Sequence, residues 1–174
     1  MPASLDGMKQ GRRRNMIRSG ICAALAVMMA LPVLAWPISP ENASTILTRA
    51  GGEDVELTWV RDDVALLDAT KGNFKYSVRM MDCDETKTCA SAMIFATFEM
   101  AGVPDLAMHE KTNHFNDSYP FGRAFILPRP DQQSFAVGVD YSLDLKHEAN
   151  FDTEDVDKFM AILDAYVGHM SKEE

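Results

Sequence analysis

A pair of histidines is the first candidate for chemistry: His109 and His114, with Glu110 between them. Helical histidines that share a zinc ion are spaced i, i+4, about 40° apart around the axis, whereas a spacing of i, i+5 separates them by about 140°. The spacing therefore disfavours a metal site and predicts two solvent-facing side chains. His147 and His169 lie in polar surroundings and form no pattern. No serine lies in a nucleophile elbow and no glycine-rich loop precedes a helix, so we expect no catalytic residue, no cofactor and no metal.

The second candidate is the cysteine pair Cys83 and Cys89. In an oxidising compartment an isolated pair usually forms a disulfide, and the five residues between these two are polar, as in a hairpin loop. Redox motifs favour C-x-x-C, and no histidine is close enough in sequence to complete a zinc site. We therefore predict a structural disulfide, with a redox or metal pair as the alternative.

The third candidate is the N-x-F-N segment formed by Asn113, Phe115 and Asn116, together with Arg123. Asparagine at a helix end can cap carbonyl groups or adopt a left-handed conformation. Two asparagines beside a buried aromatic ring would then fix the turn from a helix into the following strand. The alternative is a polar site for a ligand or partner made by Asn113, Asn116 and Arg123.

These candidates are positioned by one predicted α+β domain with the element order α-β-β-β-α-β-β-α. Ser39 and Pro40 open the first helix, two glycines at 51–52 close it, Pro104 starts the second helix and Asp152 caps the last. Alternating apolar residues predict strands around 55–59, 74–80 and 135–143, and the stretch at 92–98 is apolar on both faces, as a central strand would be. A further strand is predicted at 124–127, with a short extended piece at 65–68. Short turns between strands indicate an antiparallel sheet with helices packed on it.

The first 35 residues have the three parts of a signal peptide. Four arginines between positions 12 and 18 precede an uncharged stretch at 21–35, and small residues lead to a predicted cut between Ala35 and Trp36. The apolar stretch would cover about 22 Å as a helix, which is too short to span a bilayer core of about 30 Å. We expect a signal peptide at 1–35, a mature domain at 36–174, and no stable membrane insertion after cleavage. An uncleaved membrane anchor is the alternative.

Export predicts a periplasmic or secreted protein. The general secretory route is preferred, and Arg13-Arg14 keeps the twin-arginine route open. Removal of residues 1–35 takes five of the 17 basic and one of the 26 acidic residues, which changes the formal charge from −9 to −13. Such a surface repels nucleic acid, so we expect no nucleic-acid partner.

Several short motifs together resemble a known family. They are the cysteine pair before the apolar strand SAMIFATF at 91–98, the N-x-F-N segment, FGRAF at 121–125, and a strand containing Val139-Asp140 before a terminal amphipathic helix. This pattern resembles the exported branch of the YbjN family, labelled bacterial sensory transduction regulators, over residues 39–170. The family's usual Trp between the two asparagines is Phe115 here. The resemblance implies a fold like that of type III secretion chaperones and a bacterial envelope setting, and it supplies no activity.

Two functions follow as hypotheses. The first is a non-enzymatic periplasmic module, either chaperone-like or regulatory and sensory. Its sheet face or edge would hold a protein or peptide, or a second copy in a homodimer. The second is a small-ligand-binding protein or enzyme centred on Asn113, Asn116 and Arg123.

Overall fold

A computed structural model describes residues 38–130, 133–146 and 151–172. The predicted signal segment 1–35, its cut between Ala35 and Trp36, and His147 lie outside the described residues. The elements, in chain order, are α1 (Pro40–Arg49), β1 (Glu53–Arg61), β2 (Val64–Lys71), β3 (Phe74–Cys83), β4 (Cys89–Ala101), α2 (Leu106–Ser118), β5 (Arg123–Pro128), β6 (Ser134–Asp144) and α3 (Thr153–Met170). No helix within those described ranges is long and apolar enough to cross a membrane.

The six strands form one open antiparallel sheet in the order β1-β2-β3-β4-β6-β5. The first four strands follow one another as hairpins, because each connection is short and the β2–β3 turn contains Gly72, whose φ is 60°. The chain then leaves the sheet through α2 and returns with β5 and β6. Strand β6 pairs with β4 along its whole length, and this leaves β5 at the outer edge.

Helix ends follow local sequence signals. Ser39 caps α1 by accepting a hydrogen bond from the Asn42 amide, and Pro40 is the first helical residue. The end of α1 requires glycine at position 52, because a Cβ there would lie 2.8 Å from the Leu47 carbonyl oxygen. Asp152 caps α3 in a capping box with Asp155.

All three helices lie on the same face of the sheet. Helix α3 contacts both α1 and α2, and its Tyr166 ring stacks on Phe98 of β4. Beneath the helices, one set of alternating strand residues is fully buried, including Val78, Ile94 and Val139. The core therefore lies between one sheet face and three helices, as two-layer α+β packing requires.

The predicted fold class is confirmed: an α+β domain with an antiparallel sheet and helices packed on it. The structure has one strand more than the predicted order, because the short extended piece at 65–68 is a full strand, β2. Ala65 and Ala69 fill two of its four buried positions, beside Val64 and Leu67, and alanine gives only a weak strand signal. Helix α2 begins at Leu106 and not at Pro104, because the Asp105 carboxylate caps it by accepting from the Met108 amide.

Candidate binding face

Asn116 joins the end of α2 to the outermost strand of the sheet. Its side-chain Oδ1 accepts a hydrogen bond from the Ala124 amide at 2.7 Å, and its Nδ2 donates to the Ala124 carbonyl oxygen at 3.1 Å. Since Ala124 pairs with Val139 of β6 on its other side, the asparagine side chain takes the place that a further strand would occupy. Both polar atoms of the Asn116 side chain are therefore used in holding β5.

Phe115 lies next to Asn116 in sequence and belongs to an aromatic cluster in the core. Its ring is fully buried and contacts Tyr119 at 4.4 Å, Tyr166 at 5.3 Å and His169 at 5.6 Å between centroids. Burial raises the pKa of Tyr166 above its ordinary range. His114 stacks on His169, with the two centroids 5.5 Å apart. The cluster ties α2 to α3.

His169 was predicted to lie in polar surroundings, and this is wrong. It is half-buried against the aromatic cluster, and its Nε2 lies 2.9 Å from the Lys111 carbonyl oxygen. The packing of α2 against α3 brings these residues together from distant parts of the chain. His109 and His114 are exposed, as the spacing predicted, and His114 Nδ1 lies 3.4 Å from the Ser118 hydroxyl.

Arg123 points to the other side of the sheet. Its guanidinium donates a hydrogen bond to Asp140 at 2.7 Å, and the two residues are cross-strand partners in β5 and β6. The Asp140 side chain is only 6% exposed, whereas that of Arg123 is 67% exposed. Arg123 therefore neutralises a buried carboxylate and keeps most of its own surface in solvent.

The structure does not bring the proposed polar trio into one cluster. Asn116 bonds the backbone of Ala124 on the edge of β5, while the next residue back, Arg123, projects onto the helix-free face. Asn113 lies exposed on α2, and none of the hydrogen bonds found within the described ranges involves its side chain. The contacts of Asn116 support the structural interpretation of the motif.

The helix-free face of the sheet, called here the open face, contains a groove along β6. The residues of β6 that point to this face include Ala136 and Gly138, which are small and buried. Phe95 of β4 lines one side of the groove and Leu127 of β5 lines the other, while the Phe125 ring lies over Gly138 and forms the floor. The groove has a volume of about 470 Å³ and is open to solvent on its outer side.

Gly138 is needed for the shape of this groove. A Cβ at this position would lie 2.5 Å from the Ala96 carbonyl oxygen and 2.7 Å from Cζ of Phe125. The absence of a side chain therefore lets the Phe125 ring lie down over β6. The result is an apolar platform in the middle of the open face.

One end of the groove is basic. Arg79 of β3 lies there with its guanidinium carbon 5.3 Å from the centroid of the Phe95 ring, and Arg123 lies on the opposite wall. At the other end Leu127 is 45% exposed. The groove is thus amphipathic along its length, and the sequence prediction did not include Arg79, Phe95, Phe125 or Leu127. Small residues at alternate positions of β6, beside aromatic residues in its neighbours, are the signal that could have found it.

The cysteine prediction is confirmed: Cys83 and Cys89 form a disulfide and are cross-strand partners at the end of the β3–β4 hairpin. Asp84 organises the loop between them. Its carboxylate accepts hydrogen bonds from the hydroxyl and amide groups of Thr86 and Thr88, and these bonds, the Thr86 hydroxyl first, lower the pKa of Asp84 to about 2. Over the described residues, no group of three or more His, Cys, Asp or Glu side chains could hold a metal ion.

Comparison with known proteins gives one family. The model of the YbjN family, described as "Putative bacterial sensory transduction regulator", matches residues 39–165. A crystal structure of YbjN from E. coli, described as "a putative transcription regulator", is similar at 14% identity, covering 78% of this chain and 90% of that one with a TM-score of 0.48. At that level of agreement the likeness supports no inference about activity. No curated protein matches the chain. Because the family model covers most of the sequence, the chain belongs to the YbjN family.

Proposed function

We propose that this chain is an exported, non-enzymatic regulatory module of the bacterial envelope that acts by binding another protein through its open face. The observation that carries the proposal is the groove beside Phe95 and Phe125: an apolar platform on a sheet face where none of the described helices packs. Exposed apolar patches that are rimmed by polar side chains are typical of protein interaction sites. The family's regulatory description agrees with such a role.

Export is supported by two features. The sequence of residues 1–35 has the charge and apolar pattern of a secretion signal. The disulfide between Cys83 and Cys89 is of the kind that persists in oxidising compartments. Fractionation of cells followed by N-terminal sequencing tests this part. We expect the mature protein in the periplasmic or secreted fraction with Trp36 as its first residue, and a chain that keeps residues 1–35 in the cytoplasm would refute it.

Site-specific photo-crosslinking in living cells tests the binding role. A photoreactive amino acid replaces Thr97, which is exposed on the open face, or Asp164, which is exposed on α3. We expect a discrete adduct with one protein from position 97 and none from position 164. Equal adducts from both positions, or none from position 97, would contradict a binding role for this face. An adduct whose mass is twice that of the chain would identify the partner as a second copy.

A further inference from the structure

The side chains that β5 contributes to the groove have a regular spacing. Arg123, Phe125 and Leu127 are alternate residues of one strand, so their side chains project to the open face about 6.8 Å apart. A partner chain that lies extended along the groove repeats its own side chains at the same interval. An extended segment can therefore place three of its side chains opposite these three.

The charges at one end of the groove select an acidic group. Arg79 forms no ion pair with any carboxylate among the described residues, and its guanidinium contacts the face of Phe95. Arg123 forms an ion pair with one carboxylate, that of Asp140. The end of the groove thus carries two cations and one anion in a chain whose formal net charge is −9. A carboxylate on a bound partner complements this local excess of positive charge.

The shape of the groove favours a peptide over a small molecule. Small-molecule sites enclose most of the ligand surface, whereas this groove is open along its outer side and its floor is the flat Phe125 ring over Gly138. A shallow amphipathic groove can instead hold one side of an extended chain, whose other side stays in solvent.

We propose that the groove binds an extended segment of a partner protein in which an acidic residue is followed at the second and fourth positions by apolar residues. The acidic side chain would lie at the end lined by Arg79 and Arg123, and the apolar side chains over Phe125 and Leu127. This inference rests on the proposed binding function and adds the chemistry of the partner.

Binding of defined peptides to the purified protein tests the proposal. The probe is acetyl-Ser-Glu-Thr-Phe-Thr-Val-Ser-amide with a fluorophore on an added C-terminal lysine, followed by fluorescence anisotropy. We expect about tenfold weaker binding when Gln replaces Glu in the peptide, because a charge-assisted hydrogen bond is lost. A register control, acetyl-Ser-Glu-Phe-Thr-Val-Thr-Ser-amide, has the same composition and puts its apolar side chains on the other side of the extended chain, so we expect it to bind weakly.

Substitutions in the protein locate the contact. Arg79→Gln removes the cation that has no carboxylate partner, and Leu127→Ser removes the apolar end. Each is expected to weaken binding of the Glu peptide by about tenfold. Arg49→Gln makes the same charge change on the exposed surface of α1 and should leave binding unchanged. The Gln peptide should be insensitive to Arg79→Gln, because it lacks the carboxylate that this arginine contacts.

Several results would overturn the inference. Equal binding of the Glu and Gln peptides would exclude recognition of the acid, and equal binding of the register control would exclude an extended segment. Binding of sodium decanoate but of neither peptide would identify a small amphiphile as the occupant. If no peptide binds while the crosslinked adduct at position 97 still forms, this inference is refuted and the proposed function stands. If neither peptide binding nor the adduct is observed, both are refuted.

Discussion

The clamp between Asn116 and Ala124 predicts a specific loss of stability. Asn116→Ala removes two hydrogen bonds to the backbone of a residue that is 4% exposed. Each neutral hydrogen bond contributes about 1 kcal/mol, so we expect the free energy of unfolding to fall by about 2 kcal/mol. For a domain of this size that is a decrease in Tm of about 8 °C.

The matched control is Asn113→Ala, one helical turn earlier on the same helix. Asn113 is exposed, and no hydrogen bond of its side chain is seen within the described part of the chain, so this substitution should change the free energy by less than about 0.5 kcal/mol. Urea unfolding followed by circular dichroism under oxidising conditions measures both variants. The comparison distinguishes an asparagine that stabilises the fold from a neighbouring asparagine that does not.

Hydrogen exchange gives a local test of the same clamp. The Ala124 amide points away from β6, so its protection depends on Oδ1 of Asn116, and Asn116→Ala should remove that protection selectively. An Ala124 amide that stays protected in the variant, or two asparagine variants of equal stability, would refute the clamp.

A double substitution tests whether a joint polar site exists. Asn116 and Arg123 act on different groups, the first on the edge backbone and the second on Asp140 across the open face, so their stability effects should add within about 0.5 kcal/mol. A joint loss of ligand binding in Asn116→Ala and Arg123→Ala, without matching losses of stability, would instead favour the ligand-binding alternative.

Three further predictions concern single features of the fold. Reduction of the Cys83–Cys89 bridge, whose cysteines are 6 positions apart, should lower the free energy of unfolding by about 2 kcal/mol on the chain-entropy model. Urea titrations with and without reductant measure this difference, and identical midpoints would count against it. Gly138→Ala should destabilise the protein by about 1–3 kcal/mol through overpacking. Gly168→Ala in α3, where a Cβ meets nothing within 4 Å, should instead stabilise it by about 0.5–1 kcal/mol. Thermal melts in which both variants shift the Tm in the same direction would contradict this. Burial raises the pKa of Tyr76 to about 12, so the stability that this residue contributes is complete below pH 10 and is lost as the pH rises towards 12. Tyr76→Phe should reduce this loss of stability at high pH. A variant whose stability falls with pH in parallel with that of the unsubstituted protein would disprove the prediction.

The helix caps and the hairpin disulfide could be predicted because they depend on local chemistry. Ser39 with Pro40 and Asp152 are signals that act within one helical turn. Cys83 and Cys89 are close in sequence, so a turn between them is enough to bring the sulfur atoms together. In each case the partner group lies within a few residues.

The groove on the open face could not be predicted in the same way, because it depends on strand order. Phe95 and Phe125 face each other only because β6 inserts between β4 and β5, and alternation along one strand says nothing about its neighbours. The contact of His169 with Phe115 likewise requires the packing of α3 on α2. The sequence showed that Asn116 lies near a turn, but its partner, the backbone of Ala124, carries no sequence signal at all.

The two edges of the sheet differ in a way that bears on aggregation. The β5 edge is short, ends in Pro128 and has the backbone of Ala124 already hydrogen-bonded to Asn116, so it disfavours pairing with an added strand. The β1 edge runs over Glu53–Arg61, and breaks of register near both of its ends bend it. Acidic residues at positions 53, 54 and 56 make two such edges repel each other. Both edges therefore disfavour polymerisation of the protein through its strands, even though one face of the sheet stays open to solvent.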